Sequence, residues 1–325
     1  NQNPTLSEIV TLEVTIEPDA EPGLRQLRLD TPFGLSNPVV FSVGQLPEVA
    51  EKDLKNGKAD AELAITVPTV VNGRIIPGDG NRQQQPVRQG QQYMPGDVDR
   101  YRFQARKGQD LVVAVSAREL MPYLADAVPG WFQATIALFD ASGKEVAYDD
   151  DFRFQPDPVL RYKIPEDGEF VVEIKDALYR GREDFVYRLT IGALPFVTGV
   201  FPLGGPIGAK TSTELTGWNL PTVKLTVDAT GAKVGYYPVS LRTGVVTSNR
   251  VPFALDALPE TLEREPNDTP ASALRVTLPV IANGRIQQPG DSDVYSFEGR
   301  AGAQVVAEVV ARRLGSPLDS ALELT

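Results

Sequence analysis

Cysteine and histidine are both absent from the 325 residues of this chain. Their absence excludes thiolate nucleophiles, Cys/His metal sites, the Ser-His-Asp and Cys-His catalytic arrangements and any histidine general base. Carboxylate pairs of the glycosidase type need neither residue, but no motif places two carboxylates across a cleft. The sequence therefore predicts a protein that is not an enzyme. A lack of disulfides is compatible with an exported bacterial protein whose cores need no cross-links, and equally with a cytosolic protein.

Long apolar runs and an excess of positive charge are also missing. No apolar run approaches the roughly 20 residues needed to span a bilayer, and Asn1 does not begin a signal peptide, so we expect the sequence to start within a longer protein. The 32 basic and 43 acidic side chains give a net charge of −11. Such a balance repels nucleic acid and anionic lipid, so we expect no nucleic-acid partner and no membrane insertion.

Short runs of Val, Ile, Leu, Tyr and Phe recur along the whole chain. Clusters of Pro, Asp, Asn and Gly separate them, with 28 Gly and 27 Pro in total, and helical periodicity is almost nowhere sustained. The predicted fold class is all-β, built from tandem β-sandwich domains with few or no helices. The length suits two to four domains. Predicted strands include Thr11–Ile16, Asp110–Ala117, Ala134–Phe139 and Gln304–Val310.

Internal repeats organise these runs. The hexapeptide SNPVVF, which ends at Phe41, returns as SNRVPF, which ends at Phe253, a spacing of 212 residues. The octapeptide PTVVNGRI at 68–75 returns as PVIANGRI at 279–286, and PGDVDRYRF at 95–103 returns as PGDSDVYSF at 289–297. The last spacing is only 194 residues, so the first copy contains an insertion near 77–93. Its Gly, Gln and Arg content predicts a surface loop.

The combined motifs E-x-E-P-N-D-T, N-G-x-I and P-G-D-x-D-x-Y-x-F resemble the bacterial pre-peptidase C-terminal domain family, which includes the collagen-binding modules of clostridial collagenases. Residues Phe201–Pro206 and Thr213–Leu220 resemble the opening of an IPT/TIG immunoglobulin-like domain. The alternation is similar to that of exported multi-domain proteins of planctomycete-type bacteria. The resemblance implies β-sandwich modules and a location that is extracellular, at the cell surface or periplasmic.

Four segments follow from the repeats and the resemblance. We expect residues 1–45 to be the C-terminal part of an Ig-like domain, and 46–193 to be a complete pre-peptidase-like sandwich, called the first copy below. Residues 194–256 would be an Ig-like domain. Residues 257–325, called the second copy below, would be the N-terminal part of a second pre-peptidase-like domain, truncated in this sequence.

Hard oxygen donors gather around the motifs of the second copy. Calcium prefers six to eight oxygen ligands and needs neither histidine nor thiolate. In the collagenase modules the corresponding segments share calcium, so the resemblance implies a second-copy cluster of ligands: Glu263, Glu265, Asn267, Asp268, Asp291 and Asp293. Asp291 and Asp293 lie two residues apart, so an extended chain projects both carboxylates to one side, where a cation relieves their repulsion. The alternative is an acidic linker followed by a solvated turn.

The first copy carries a weaker version of this cluster, made of Glu51, Asp53, Asp97 and Asp99. Lys55 takes the place of Asn267 there, which sets an ammonium where the motif has an oxygen ligand. Calcium is therefore a weaker prediction for the first copy. A run of three acids at Asp149–Asp151 could hold another ion, although such runs at strand ends are usually only solvated.

The leading functional hypothesis is a non-catalytic exported protein whose modules space, stabilise or attach something else, with calcium as the expected cofactor. The alternative is a module that binds polysaccharide or a collagen-like fibrous protein and is attached to an extracellular hydrolase. Other surface or secreted subunits are further candidate partners. Aromatic residues could stack on such ligands, although aromatics in a sandwich are usually core. The candidates are Tyr123, Trp131, Phe132, Tyr148, Phe152 and Phe154.

Overall fold

The computed structural model describes residues 10–51, 62–77, 96–121, 131–244 and 246–325. Most of the predicted 77–93 insertion lies outside these ranges, as do Asp53 and Tyr123. Short strands joined by turns dominate the described residues, with a 3-10 helix at Arg312–Leu314. The chain divides into two compact units, Asn1–Gln45 and Leu46–Thr325. The predicted all-β class is confirmed, whereas the division into four domains stays a prediction.

Residues 10–45 of the first unit contain four short strands. Strand β1 (Gly23–Leu27) pairs antiparallel with β4 (Val39–Val43), and β2 (Asp30–Thr31) forms a hairpin with β3 (Gly34–Leu35). Thr11–Ile16, predicted as a strand, is not one. Its apolar residues alternate as a strand's would, but no described strand lies beside it, so its backbone cannot form a ladder. The alternating pattern alone therefore does not make Thr11–Ile16 a strand, because a strand also needs a neighbouring strand to bond to.

The described residues of the first copy form a two-sheet sandwich with ten strands. Its strands are β5 (Glu48–Ala50), β6 (Leu63–Ala64), β7 (Thr69–Arg74), β8 (Asp99–Ala105), β9 (Asp110–Ser116), β10 (Ala134–Asp140), β11 (Glu145–Asp149), β12 (Val159–Lys163), β13 (Gly168–Asp176) and β14 (Val186–Gly192). One sheet has the order β11-β10-β13-β8-β6 and the other β12-β9-β14-β7-β5. All neighbours are antiparallel except β5 with β7 and β6 with β8.

One buried cluster joins both sheets of this sandwich. Tyr101, Ile136 and Val172 come from the first sheet, and Val113 and Leu189 from the second. Along β8 the buried and accessible residues alternate, as expected for a strand with one face against the core. Full burial of each large apolar side chain contributes about 1.5–3 kcal/mol. A core of this size explains how the fold is stable without disulfides.

The 194–256 segment has a smaller core between two three-stranded sheets. Its strands are β15 (Phe196–Phe201), β16 (Gly204–Pro206), β17 (Lys210–Trp218), β18 (Lys224–Asp228), β19 (Gly235–Val239), β20 (Arg242–Thr243), β21 (Val246–Thr247) and β22 (Val251–Asp256). The sheets have the orders β15-β17-β18 and β16-β22-β19, and β20 forms a hairpin with β21. Val197, Leu215 and Phe253 are buried between the sheets.

The second copy has four short strands: β23 (Glu260–Leu262), β24 (Leu274–Arg275), β25 (Ile281–Asn283) and β26 (Tyr295–Ser296). Strands β23 and β25 pair in parallel, as do β24 and β26. Gln304–Val310, predicted as a strand, has no strand structure. In the first copy the equivalent β9 pairs with β12 and β14, and no described strand takes their places beside Gln304–Val310.

The two copies share their parallel strand pairs, although the equivalent of β9 is not a strand in the second copy. The parallel pairs β5–β7 and β6–β8 correspond to β23–β25 and β24–β26. A backbone hydrogen bond from Val70 N–H to the Pro47 carbonyl returns as one from Ile281 N–H to the Pro259 carbonyl, each 2.9 Å long. The sequence repeat is therefore also a structural repeat, and the acidic residues of the two copies can be compared position by position.

Candidate cation site

The parallel strand pairs bring the two halves of the second-copy cluster together. Glu263 follows β23, and its N–H donates to the Asn283 carbonyl at 2.9 Å. Asn267 lies further along the same segment, and its carbonyl accepts the Val294 N–H at 2.9 Å, just before β26. Residues about 30 positions apart in the sequence therefore meet at one end of these strands.

Five predicted carboxylates converge in two overlapping groups. The first group is Glu263, Glu265 and Asp293, and the second is Glu265, Asp268 and Asp291; within each group carboxylate oxygens lie within 4.8 Å of one another. Calcium–oxygen distances are about 2.3–2.6 Å, so two ligands of one ion lie at most about 5 Å apart. The spacing therefore fits a shared cation, and Glu265 belongs to both groups.

Buried polar atoms without partners concentrate at this cluster. Of the five such side-chain atoms in the described part of the chain, four belong here: Glu263 Oε2, Asp293 Oδ1, and Oδ1 and Nδ2 of Asn267. Asn267 is 0% exposed. Buried polar groups are almost always hydrogen-bonded, and each one left unpaired costs about 1–3 kcal/mol. The oxygens among these atoms are hard donors of the kind that calcium takes, so the residues fit such an ion.

The electrostatics of the cluster also disfavour bare carboxylates. Burial raises the pKa of Glu263 to about 7, and the nearby Asp293 carboxylate adds to this, while the Arg285 N–H opposes it. Burial likewise raises the pKa of Asp293, with Asp291 contributing through its negative charge. Two carboxylates that face each other with no donor between them require a shared proton or a cation.

Backbone N–H groups hold one oxygen of several carboxylates in place. Arg285 N–H donates to Glu263 Oε1 at 2.6 Å, and Gln287 N–H donates to Asp291 Oδ2 at 2.6 Å. The close approach depends on Gly284, where an added Cβ would lie 2.5 Å from Glu263 Oε2, 2.8 Å from the Tyr295 hydroxyl and 2.9 Å from Asp293 Oδ2. This arrangement fixes Glu263 Oε1 and leaves Oε2 directed at Asp293.

The carboxylates of the first copy have hydrogen-bond partners that differ from those in the second copy. Glu51, Asp97 and Asp99 also lie within 4.8 Å of one another. There, however, the Tyr187 hydroxyl donates to Asp99 Oδ2 at 2.6 Å and lies 2.5 Å from the Tyr101 hydroxyl. No described side chain of this group has a buried atom without a partner. The first copy therefore lacks the feature that distinguishes the second.

Several residues that shape the site carried no readable signal in the sequence. The role of Gly284 depends on how closely the backbone approaches Glu263, which the repeated Asn-Gly-Arg motif does not reveal. Tyr187 lies 88 residues from Asp99 in the sequence, and the two residues meet because the sheet with β14 packs against the sheet with β8. The third acidic group, Asp149–Asp151, is also brought together, but its oxygens are not among the unpartnered buried atoms.

The candidate aromatic platform is mostly internal. Phe132 is part of the sandwich core, and Phe152 packs edge-on against Phe196 and Trp218. Trp131 lies under the Arg118 guanidinium, and Phe154 under that of Arg312. Of the described candidates, Tyr148 is the most exposed, at 50%. The prediction of a stacked-ligand surface in this region is therefore reduced to Tyr148 and its surroundings.

Comparisons with known proteins give distant similarities. No protein-family model matches the chain. A probable subtilase-type serine protease of Deinococcus radiodurans is 28% identical over 175 residues, which cover 47% of this chain and 22% of that protein. The chain thus spans less than a quarter of that relative's length.

Two solved structures are similar at 14% identity. The pre-peptidase C-terminal domain of a Bacillus anthracis collagenase has a TM-score of 0.26, with 41% of this chain and 99% of that chain covered. PliG, a periplasmic inhibitor of g-type lysozyme from Aeromonas hydrophila, has a TM-score of 0.22, with 40% and 99% covered. Similarities this distant establish neither family nor function, and the all-β fold rests on the strand pairing above. Among the described residues no helix has the length and apolar character of a membrane span.

Proposed function

We propose that the chain is a non-catalytic, exported β-sandwich protein that serves as a structural spacer or attachment module and binds calcium at the second-copy cluster. The observation that carries the proposal is the set of buried, unpartnered oxygens on Glu263, Asn267 and Asp293. Glu265, Asp268 and Asp291 complete the ligand set through their shared spacing. The weaker candidate in the first copy, Glu51 with Asp97 and Asp99, remains secondary.

The donor set favours calcium over other biological cations. Zinc, copper and nickel sites rely on imidazole or thiolate ligands, and the chain contains neither. Magnesium demands a near-ideal octahedron and keeps much of its water, whereas calcium accepts many carboxylate and amide oxygens in irregular geometry. The second-copy cluster offers five carboxylates and one amide, which matches calcium.

The similarity to the subtilase-type protease supports attachment to a secreted hydrolase. A subtilase needs a histidine in its Ser-His-Asp triad, and this chain contains none, so the aligned residues of this chain carry no such triad. The similarity is therefore that of an accessory region. We propose that the chain works outside the cytoplasm, in the extracellular space, at the cell surface or in the periplasm.

Calcium-dependent stability tests the proposal. With free calcium about a hundredfold above the dissociation constant, one site adds roughly 2.7 kcal/mol to the free energy of unfolding. We expect thermal melts of the wild type to shift upward with calcium and back with EDTA, and Asp293→Asn to abolish the shift. Asp319→Asn, an exposed acid of the second copy, serves as the control. A wild-type melting curve that EDTA leaves unchanged would remove calcium from the account.

A second candidate function is the binding of a polysaccharide or collagen-like ligand. It is favoured by Tyr148 and Tyr179, which are 50% and 59% exposed. The Lys175 ammonium lies 5.3 Å from the centroid of the Tyr179 ring. Glycan and collagen arrays probed with the wild type and with Tyr148→Ala test this candidate, with Trp131→Ala as control. No binding of the wild type on either array would reject this candidate function.

A further inference from the structure

The segment Asn283-Gly284-Arg285 contacts two different parts of the protein. On one side it contacts the second-copy cluster, and on the other it contacts the 194–256 segment. Each contact is made by groups with defined geometry. The segment therefore forms a physical connection between the candidate cation site and the neighbouring sheets.

Backbone groups make the contact with the cluster. The Arg285 N–H donates to Glu263 Oε1 at 2.6 Å, and the Asn283 carbonyl accepts the Glu263 N–H at 2.9 Å. Gly284 lets the backbone pass close to Glu263 and Asp293. A displacement of this segment would move the fixed oxygen of Glu263 and with it the oxygen that faces Asp293.

Side chains make the contact with the 194–256 segment. The guanidinium carbon of Arg285 lies 3.8 Å from the centroid of the Phe201 ring, and its Nη2 lies 2.8 Å from Glu214 Oε2. The Leu203 N–H donates to Asn283 Oδ1 at 3.1 Å. Stacking of a guanidinium on an aromatic face combined with a carboxylate contact is geometrically restrictive, because the planar fork satisfies both only in one orientation.

The first copy provides an internal comparison. Arg74 N–H donates to Glu51 Oε2 just as Arg285 N–H donates to Glu263. The Arg74 side chain, however, is exposed and has no ion pair or aromatic contact among the described residues. Asn72 Oδ1 bonds to Arg188 of its own sandwich. The double contact is therefore specific to the second copy.

We propose that the Asn283–Arg285 segment couples cation binding at the second-copy cluster to docking of the 194–256 segment, with Arg285 as the positioning residue. This inference rests on the proposed calcium site. The coupling is favourable because one placement of the segment serves both contacts. The coupling is reciprocal: calcium strengthens the docking by the same factor by which the docking strengthens calcium binding. Loss of the Phe201 and Glu214 contacts therefore weakens calcium binding.

Variants in the 194–256 segment test the coupling without touching a ligand. Phe201→Leu removes the aromatic face and changes no charge, so an effect on calcium affinity cannot be electrostatic. We expect calorimetric titration of the full chain with calcium to show about a five-fold or greater loss of affinity, the lower end of measured coupling. Arg74→Ala is the matched control and leaves the affinity unchanged. Melting curves in EDTA verify that each variant still unfolds cooperatively.

A second variant keeps the test decisive if Phe201→Leu does not fold. Glu214→Gln breaks the exposed ion pair with Arg285, and Asp228→Asn, which breaks the exposed pair with Lys210, controls for the lost charge. Loss of affinity in Glu214→Gln beyond that in Asp228→Asn supports the coupling. Wild-type binding with unchanged affinity in both test variants overturns the coupling alone. No calcium binding by the wild type overturns the proposed function itself.

Discussion

One hydrogen-bond donor, the Tyr187 hydroxyl, distinguishes the acidic residues of the first copy from the described residues of the second. In the first copy Asp99 accepts a hydrogen bond from Tyr187, a residue of β14. In the second copy the equivalent Asp293 has a buried oxygen with no partner, and it faces Glu263, which also has one. A tyrosine hydroxyl therefore satisfies the acids of the first copy, whereas among the described residues no side chain donates to the facing oxygens of Glu263 and Asp293. A cation bound between Glu263 and Asp293 would therefore stabilise the folded protein.

The pH dependence of stability follows from Glu263. Burial raises its pKa from 4.5 to about 7, so the folded protein holds this proton more tightly than the unfolded chain. The stabilising contribution of the proton is full below about pH 4.5 and is lost as the pH rises through about 7. Calcium replaces the proton. We therefore expect calcium to raise the free energy of unfolding more at about pH 7.5 than at about pH 5.

Urea unfolding at both pH values, with calcium and with EDTA, measures this difference. Glu263→Gln removes the titrating group and is expected to flatten the pH dependence found in EDTA. The expectation is wrong if calcium stabilises the wild type equally at both pH values, or if Glu263→Gln retains the wild-type pH dependence.

At the scale of strands, the site depends on a parallel strand pair and on the glycine that follows it. Strand β23 lies beside β25, and the chain leaves β25 through Gly284, where the backbone passes the acids without a side chain. Gly73, within β7, does the same: an added Cβ there would meet the Tyr187 ring and would lie 2.9 Å from Glu51 Oε2. Both glycines belong to a repeated Asn-Gly-Arg motif, so the repeat preserves a close backbone approach.

Replacing Gly284 by alanine tests this geometry. The added Cβ would lie 2.5 Å from Glu263 Oε2, so the carboxylate has to rotate out of the cluster. We expect Gly284→Ala to lose the calcium-induced rise in melting temperature while retaining a cooperative transition in EDTA. Gly299→Ala, which has open space around the added carbon, leaves the calcium response intact. A normal calcium response in Gly284→Ala contradicts the geometry described here.

The sequence predicted the fold class from local patterns, whereas the members of the second-copy cluster came from the family resemblance and stay a prediction. Alternating apolar runs identify strands, and a repeat preserves spacing. What it could not predict depends on long-range pairing. Gln304–Val310 has the same pattern as β9 but no neighbouring strand, and Phe201 meets Arg285 across 84 residues of sequence. Contacts between residues so far apart in the sequence become visible only once the fold is known.

At the scale of the molecule, contacts join the first copy, the 194–256 segment and the second copy. Phe152 of the first copy packs against Phe196 and Trp218, and Asn219 Nδ2 donates to the Asp110 carbonyl at 2.8 Å. Arg285 joins the 194–256 segment to the second copy. Side-chain contacts at both junctions suit a spacer, because they limit how adjoining modules move. The candidate cation site lies beside the second junction, since Arg285 contacts both.

The most direct measurement of the central claim is a crystal structure of the full chain grown at about pH 7.5 with calcium, phased so that anomalous peaks are visible. We predict an anomalous peak among Glu263, Glu265 and Asp293, with oxygens of these residues about 2.3–2.6 Å away. A map at the same pH with no peak there, and with Glu263 and Asp293 in direct contact, would contradict the claim, since a shared proton would then suffice.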